Sequence, residues 1–349
     1  MKTIANCEMR NVDRKSCNSK SAIRNSQSLN ERGVALVVVL WIFIFLFVVA
    51  FDFSSSVREE GMAAHHYAEE SESYYLALAG FQEGLFRLLE RRALENPAAS
   101  PGFPLTQVWQ VADGSWSEGN LGEGVYRVRL VDEGGKVSLN RVDDVTLRRI
   151  FTNLGVEESR KSILVDSILD WRDEDDLHRT NGAESDYYLS LSPSYTAKNG
   201  PFDTVEELLW VRGMTLGLFY GTESEIGFKD IFSVDSPIDR INLRTASAEV
   251  IRALVGLPLD KSRAFAEERK KLSEKTVADL LKILGIAAGD AILRQFVFTN
   301  PSVLTIEAVG RHRDTVASRR VKAVIRLVGE QAGYQLIRWV DRDIPGIES

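Results

Sequence analysis

After Gly33 the sequence contains no cysteine; the only two, Cys7 and Cys17, lie in the leader of the chain. That part therefore has no disulfide staple, no cysteine nucleophile and no cysteine-held metal. The absence suits an oxidising compartment, where a stray thiol is a liability. Positive charge is outnumbered there too. Residues 1–33 carry seven Lys/Arg against three acids, net +4, which leaves −11 on the rest of a 349-residue chain whose total is −7. Phosphate binding rests on neutralisation by Lys/Arg, so a body this acidic argues against nucleic acid as a partner. Its charge suits solubility or the binding of cations. Motifs of catalysis are missing as well: there is no phosphate-binding glycine loop and no H-E-x-x-H. Of the four histidines, His65 and His66 are adjacent on a helical stretch, so they point about 100° apart and cannot share a metal well. His178 lies among acids and His312 in a basic turn. No enzyme activity is expected.

What the chain does have is one long apolar run. Val34 to Phe51 are eighteen residues without a charge or helix breaker, ended by Asp52. About twenty apolar residues at 1.5 Å per residue cross a hydrocarbon core of ~30 Å. The basic leader places its own side in the cytoplasm, by the positive-inside rule, and the bulk in the periplasm. No small-residue cleavage site follows the run, as it would after a secretory signal peptide. A plain signal-anchor is the simplest reading of hydrophobicity alone.

The residues before the run say more. Arg32-Gly33 directly ahead of the apolar stretch resembles the cleavage site of type IV prepilins, whose leader is removed on the cytoplasmic side after the glycine. The resemblance implies processing by a prepilin peptidase between Gly33 and Val34, with Val34 as the mature, methylated N-terminus. Most of that family carry Glu at the fifth mature position, where this chain has Val38. A carboxylate at that depth costs roughly 2.5–3.5 kcal/mol, so it is kept where a neighbouring subunit's amine neutralises it. A subunit without it suits the end of a filament.

Helical pattern continues to Pro97, with Leu78, Phe81, Leu85, Leu88 and Leu89 at helical spacing. A helix over about 34–95 is expected, apolar in its first half and amphipathic in its second. After the loop-like "NPAASPGFP" the period changes to two. "GVYRVRLVDEGGKVSLN", "SVLTIEAVGRH", "ASRRVKAVIRLVGE" and "YQLIRWVDRD" read as strands of one antiparallel sheet packed on that helix. Between the first and the rest lie about 160 residues of helical character. The expected class is α+β: a long N-terminal helix on an antiparallel sheet, with a large all-α insert. The expected bounds are 1–33 for the leader, 34–53 for the membrane-spanning part, 54–140 for the stalk and first strands, 141–298 for the insert and 299–349 for the last strands.

Within the insert a weak repeat aligns "VSLNRVDDVTLRRIFTNLG" with "INLRTASAEVIRALVGLP", matching Leu147 to Ile251, Arg148 to Arg252 and Ile150 to Leu254. "FDTVEELLWVRGMTLGLFYG" reads as helix, turn, helix. All three resemble helix-hairpin-helix units, but the turn Arg212-Gly213-Met214-Thr215 lacks a second glycine and the surroundings are negative. They are read as packing modules, without DNA.

The most distinctive chemistry is "DSILDWRDEDDLHRTNGAESDYY". It holds Asp166, Asp170, Asp173, Glu174, Asp175, Asp176 and Glu184, with Asp186 close behind. Oxygen ligands on a bent loop are what Ca²⁺ needs, six to eight of them at ~2.3–2.6 Å. Asp173, Asp175 and Glu184 occupy positions 1, 3 and 12 of an EF-hand count, but Leu177 and His178 stand at 5 and 6, where a ligand and glycine are required. Either a divalent cation or Arg172 and Arg179 must offset the repulsion.

Taken together these stretches look like the K-type minor pseudopilins of type II secretion, within the type IV pilin-like superfamily. The matching elements are the "RGVAL" start without the acidic fifth residue, the "DWRDEDD…NGAE.DYY" block, "NGPFDTVEELLWVRGM", "INLRTA" and the late strands. The resemblance implies a cap at the tip of a periplasmic pseudopilus, anchored in the inner membrane and seated on other minor pseudopilins. It also implies calcium in the insert, carried onto Asp173, Asp175, Glu184 and Asp186. Two other readings stay open: a minor pilin of a type IV pilus or DNA-uptake machine, and a signal-anchored periplasmic protein.

Overall fold

The computed structural model describes residues 31–94, 112–222, 225–271, 277–287, 290–312, 318–329 and 333–341. Residues 1–30 of the leader, with both cysteines, and the loop after Pro97 lie outside these residues. The chain divides into two units, one ending at Ala64 and the other starting at His65.

Helix α1 runs Glu31–Leu94. In the first unit its large apolar side chains, from Val34 to Phe53, are all exposed. Among the described residues α1 is the one helix long and apolar enough to cross a membrane.

The second unit begins with the amphipathic part of α1. Ala77, Phe81, Leu85 and Leu88 recur at i, i+4, i+8 and i+11 and are buried. They pack on a five-stranded antiparallel sheet. Its strands are β1 (Ser117–Leu121), β2 (Gly124–Asp132), β7 (Val303–His312), β8 (Ser318–Val328) and β9 (Gly333–Val340), in that spatial order. Val128, Leu130, Leu304, Ile306, Ala308, Val321, Ala323 and Ile325 alternate along these strands and form the opposite wall of the core. Of the expected helical positions, Leu78 and Leu89 sit at its margin. Helix and sheet approach closely at Gly310, where a Cβ would stand 2.3 Å from the Ser73 carbonyl oxygen and the Ala77 nitrogen. Strand β1, with the polar sequence SEGNL, carries no period-two signal and is found only in the structure.

The insert leaves the sheet at Asp132 and returns at Val303. Asp132 pairs with Leu304, so it departs and re-enters at adjacent points. Two buried carboxylates hold this junction. Asp132 accepts from Gly134 N (2.9 Å), Asn242 Nδ2 (2.8 Å) and Thr245 Oγ1 (2.7 Å). Glu133 accepts from Lys136, Ser233 and, at 2.6 Å, Thr305 on β7. Burial would raise the Glu133 carboxyl, but Lys136 and the two hydroxyls outweigh it and hold it below its usual range.

Helices α2 (Asp144–Asn153), α3 (Glu158–Arg172), α4 (Ser185–Leu189), α5 (Leu216–Tyr220), α6 (Ala248–Val255), α7 (Leu259–Glu268) and α8 (Val277–Ile283) build the insert. They enclose a separate core that includes Phe151, Phe228, Phe232 and Phe265. The first helix expected in "FDTVEELLWVRGM" is a six-residue 3-10 helix, Val205–Trp210, followed by a turn at Gly213 with φ +87°. Among the described residues the insert also holds four two-residue strands in parallel pairs, too short to leave a periodic signal: β3 (Val137–Ser138) with β4 (Phe232–Ser233), and β5 (Ile241–Asn242) with β6 (Phe296–Val297).

These pairs give the sequence repeat a structural form. Val137 pairs with Phe232 and Ile241 with Phe296. Leu139 N donates to Ser233 O and Leu243 N to Val297 O. Asp143 caps α2 by accepting from Thr146 N, and Ser247 caps α6 by accepting from Val250 N. Arg172 donates to Leu139 O and Val142 O, while Arg269 donates to Leu243 O and Ala246 O. The insert is a tandem of two such strand–helix–helix units. The first carries the acidic loop as an extra excursion.

Candidate metal centre

Helix α3 ends at Arg172, and Asp173 caps it by donating its N–H to Leu169 O at 3.2 Å. Two acids on the helix are spent on shaping the loop that follows. Asp166 accepts from Arg148 Nη2 (2.9 Å) and from Asn181 N (3.1 Å) and Nδ2 (3.0 Å). Asp170, fully buried, accepts from Arg179 N (3.1 Å) and Nη1 (2.6 Å). Burial pushes the Asp170 carboxyl up, and Arg179 offsets only part of that. Gly182 lies so close that a Cβ there would stand 1.8 Å from Asp170 Oδ2. Arg212 fixes the far side of the loop through Gly182 O at 2.9 Å.

The folded loop brings together Asp173, Asp175 and Glu184, whose ligand atoms lie within 4.8 Å of one another. The fourth candidate, Asp186, is exposed; it accepts from Tyr187 N at 2.7 Å and is not in the group. Arg179 bonds Asp173 Oδ2 at 2.7 Å, whereas Arg172 bonds carbonyls and no carboxylate. Arginine therefore offsets part of the charge, and from the outer side.

Several buried oxygens here have no hydrogen-bond partner: Asp173 Oδ1, both carboxylate oxygens of Glu184, and Asn199 Oδ1. An unsatisfied buried acceptor costs about 1–3 kcal/mol, more when charged. Glu184 is 2% exposed. Burial first, then the charges of Asp170, Asp173, Asp176 and Asp175, push its carboxyl up to about 7. Asn199 holds φ +47°, a conformation asparagine tolerates better than most residues. Its Nδ2 donates to Asp176 Oδ1 at 2.8 Å, which fixes the amide with its oxygen unused. A set of hard oxygens, anionic and lacking donors, fits a divalent cation such as Ca²⁺. Asn199 is not among the candidate residues that the sequence marks.

Behind the loop stands an aromatic wall. Trp171 meets Tyr188 edge-on at 5.2 Å, Tyr188 stacks on Tyr195 at 5.1 Å, and Gly200 N donates to Trp171 O at 3.5 Å. The histidines stand apart from the acidic group. His65 and His66 both approach Glu69, at 3.7 and 3.5 Å, and His178 Nδ1 lies 3.3 Å from Arg179 O.

Comparison with known proteins points in one direction. The family model for type II secretion system (T2SS) protein K matches residues 128–220, which contain the whole acidic loop. The type II secretion system protein K of Klebsiella pneumoniae is 27% identical over 202 residues, covering 54% of this chain and 60% of that protein's own length. The protein of that name from Pseudomonas aeruginosa is 24% identical over 271 residues, covering 73% and 77%. In fold, the chain is similar to one in the crystal structure of the GspK-GspI-GspJ complex of enterotoxigenic Escherichia coli. The TM-score is 0.59 at 17% identity, over 80% of this chain and 99% of that one. Residues 128–220 are thus similar to the type II secretion system protein K family, and the long helix on an antiparallel sheet with its helical insert is similar in fold to that E. coli chain.

Proposed function

We propose that this chain is a minor pseudopilin that caps the tip of a type II secretion pseudopilus and starts its assembly, and that its insert holds calcium. The match of residues 128–220 to the protein K family carries the reading. The N-terminus supports it: a basic leader, Arg32-Gly33 and an exposed apolar helix are the parts a prepilin peptidase and the inner membrane would handle. Val38 supports the terminal place, since it offers no carboxylate to the amine of a subunit beyond. The partners are other minor pseudopilins; the E. coli neighbour stands in a complex with GspI and GspJ. The role is structural, and no catalytic constellation enters it.

Asp173, Asp175 and Glu184 would hold the ion, with Asn199 Oδ1 in reach of the same loop and Asp186 as an outer acid. Bound there, Ca²⁺ supplies positive charge where several carboxylates meet. Arg179 and Asp170 hold the loop backbone in place before the ion arrives.

The test is the mature N-terminus of the membrane-extracted chain, together with its association with co-expressed minor pseudopilins. A chain that starts at Val34 and co-purifies with them bears the reading out. A chain that keeps its leader, or one that binds none of them, overturns it.

A further inference from the structure

The two outer strands of the sheet are finished differently. Strand β1 is five residues long and carries Glu118 and Gly119, the short charged edge by which natural sheets refuse another strand. Strand β9 is eight residues long and, among the described residues, has a neighbour on one side only. It leaves Tyr334, Leu336, Ile337 and Val340 between 37% and 49% exposed. An edge of that length and character is a template for another chain.

Register shows what would fit it. Tyr334, Leu336 and Trp339 pair with Leu327, Ile325 and Ala323, so they share the face that packs on α1. There Trp339 meets Phe81 edge-on at 5.0 Å. Gln335, Arg338 and Val340 pair with Arg326, Val324 and Lys322 on the opposite face. Ile337 is the extra residue of a bulge between the two runs, which bends the edge without charging it. On the opposite face Arg320, Lys322 and Arg338 line a cleft of about 510 Å³. Five acids also line it: Glu133 is paired with Lys136, Glu307 with Arg129 and Arg320, and Asp235 with Arg338, while Glu206 and Asp230 lie in the lining outside the paired strands β8 and β9. The edge is thus apolar on one side and basic on the other, in a body that is acidic overall.

We propose that β9 is a docking edge for an extended segment of a partner protein in which apolar residues alternate with acidic ones. Main-chain hydrogen bonds supply the pairing. The apolar side chains extend the shelf of Tyr334, Leu336 and Trp339, and the acids face Arg326, Lys322 and Arg338. The inference needs neither the calcium site nor cleavage of the leader.

Its test uses the full chain in detergent micelles and two short synthetic peptides, one alternating valine with glutamate and the other valine with lysine. The readouts are amide hydrogen exchange over residues 333–340 and peptide affinity by fluorescence anisotropy. The glutamate peptide should protect those amides and bind about tenfold more tightly than the lysine peptide. Reversing exposed Arg326 (Arg326→Glu) should shrink that preference at least threefold while the melting curve stays put. Equal binding of both peptides, or no protection by either, overturns the proposal. So does protection present before peptide is added, whether constant, which means that the chain covers its own edge, or rising with protein concentration, which means that a second copy does.

Discussion

Arg172 and Arg269 occupy equivalent places in the two halves of the insert, each closing the loop that enters its half by donating to two carbonyls. Arg172 reaches Leu139 O and Val142 O at 2.7 and 2.6 Å, and Arg269 reaches the matching Leu243 O and Ala246 O. Burial pulls the Arg269 guanidinium down to about 10, which still leaves it charged at neutral pH. Arg172→Met and Arg269→Met should each destabilise the chain by about 1–3 kcal/mol, because the carbonyls lose their donors while the volume stays filled. Denaturant midpoints check this. Two variants indistinguishable from the parent would mean that water replaces the guanidinium at no cost.

Glu184 offers two unpartnered oxygens to the loop and pays for their burial in metal-free protein. Glu184→Gln should therefore raise the melting temperature in chelator, and the increase expected of the parent in Ca²⁺ should be lost. Asp173→Asn should also weaken the calcium effect, whereas Asp186→Asn should leave most of it. Thermal melts with and without calcium decide the ranking. Equal calcium shifts in all four proteins would remove these residues from the site.

The same carboxyl sets a pH dependence. Its folded pKa, about 7, lies above the ordinary value of 4.5, so the folded chain holds the proton more tightly than the unfolded one. Stability of the metal-free chain should then fall as pH rises from about 4.5 to 7, and level off above that. Other groups titrate as well, so the quantity to measure is the difference between parent and Glu184→Gln across that window. Calcium affinity should climb over the same interval, as binding displaces the proton. A difference that does not change with pH would show that Glu184 is ionised throughout.

Gly310 lets α1 and β7 meet. With a Cβ 2.3 Å from the Ser73 oxygen and the Ala77 nitrogen, backbone must move. Gly310→Ala should cost about 1–3 kcal/mol or more, the range for overpacking a core. Gly217, in α5, has open space around its Cβ position. Gly217→Ala is the control and should be neutral or stabilising by about 0.5–1 kcal/mol. Urea midpoints compare the two, and equal effects would mean that helix and sheet slide apart at no cost.

Much of this was legible where the chain repeats a period. Eighteen apolar residues after Gly33, alternation in Tyr126, Val128 and Leu130, and the helical recurrence of Phe81, Leu85 and Leu88 each report one buried face. Strand β1 was invisible because an exposed edge such as SEGNL has no face to bury. The paired strands at Val137 and Ile241 are two residues long, too short for any period. At the acidic loop, composition marked the place and the EF-hand count marked Asp173, Asp175 and Glu184, but not the division of labour. Asp166 and Asp170 look like ligands in sequence, and only the fold shows them bound to Arg148, Asn181 and Arg179. Asn199 lies too far along the chain for spacing to connect it with Asp173.

The return of the insert to its own point of departure bears on how the sheet is made. Glu133 and Thr305 touch although they stand 172 positions apart in the chain. Closing so long a loop from a disordered chain costs entropy before any contact rewards it, which slows non-local strand pairing. Once the insert is compact, its two ends lie side by side, and β2 and β7 meet like the arms of a hairpin whose turn is a folded domain. The order of events follows from the order of synthesis. Strand β2 emerges early and waits, and the sheet closes over α1 only when β7, β8 and β9 arrive last.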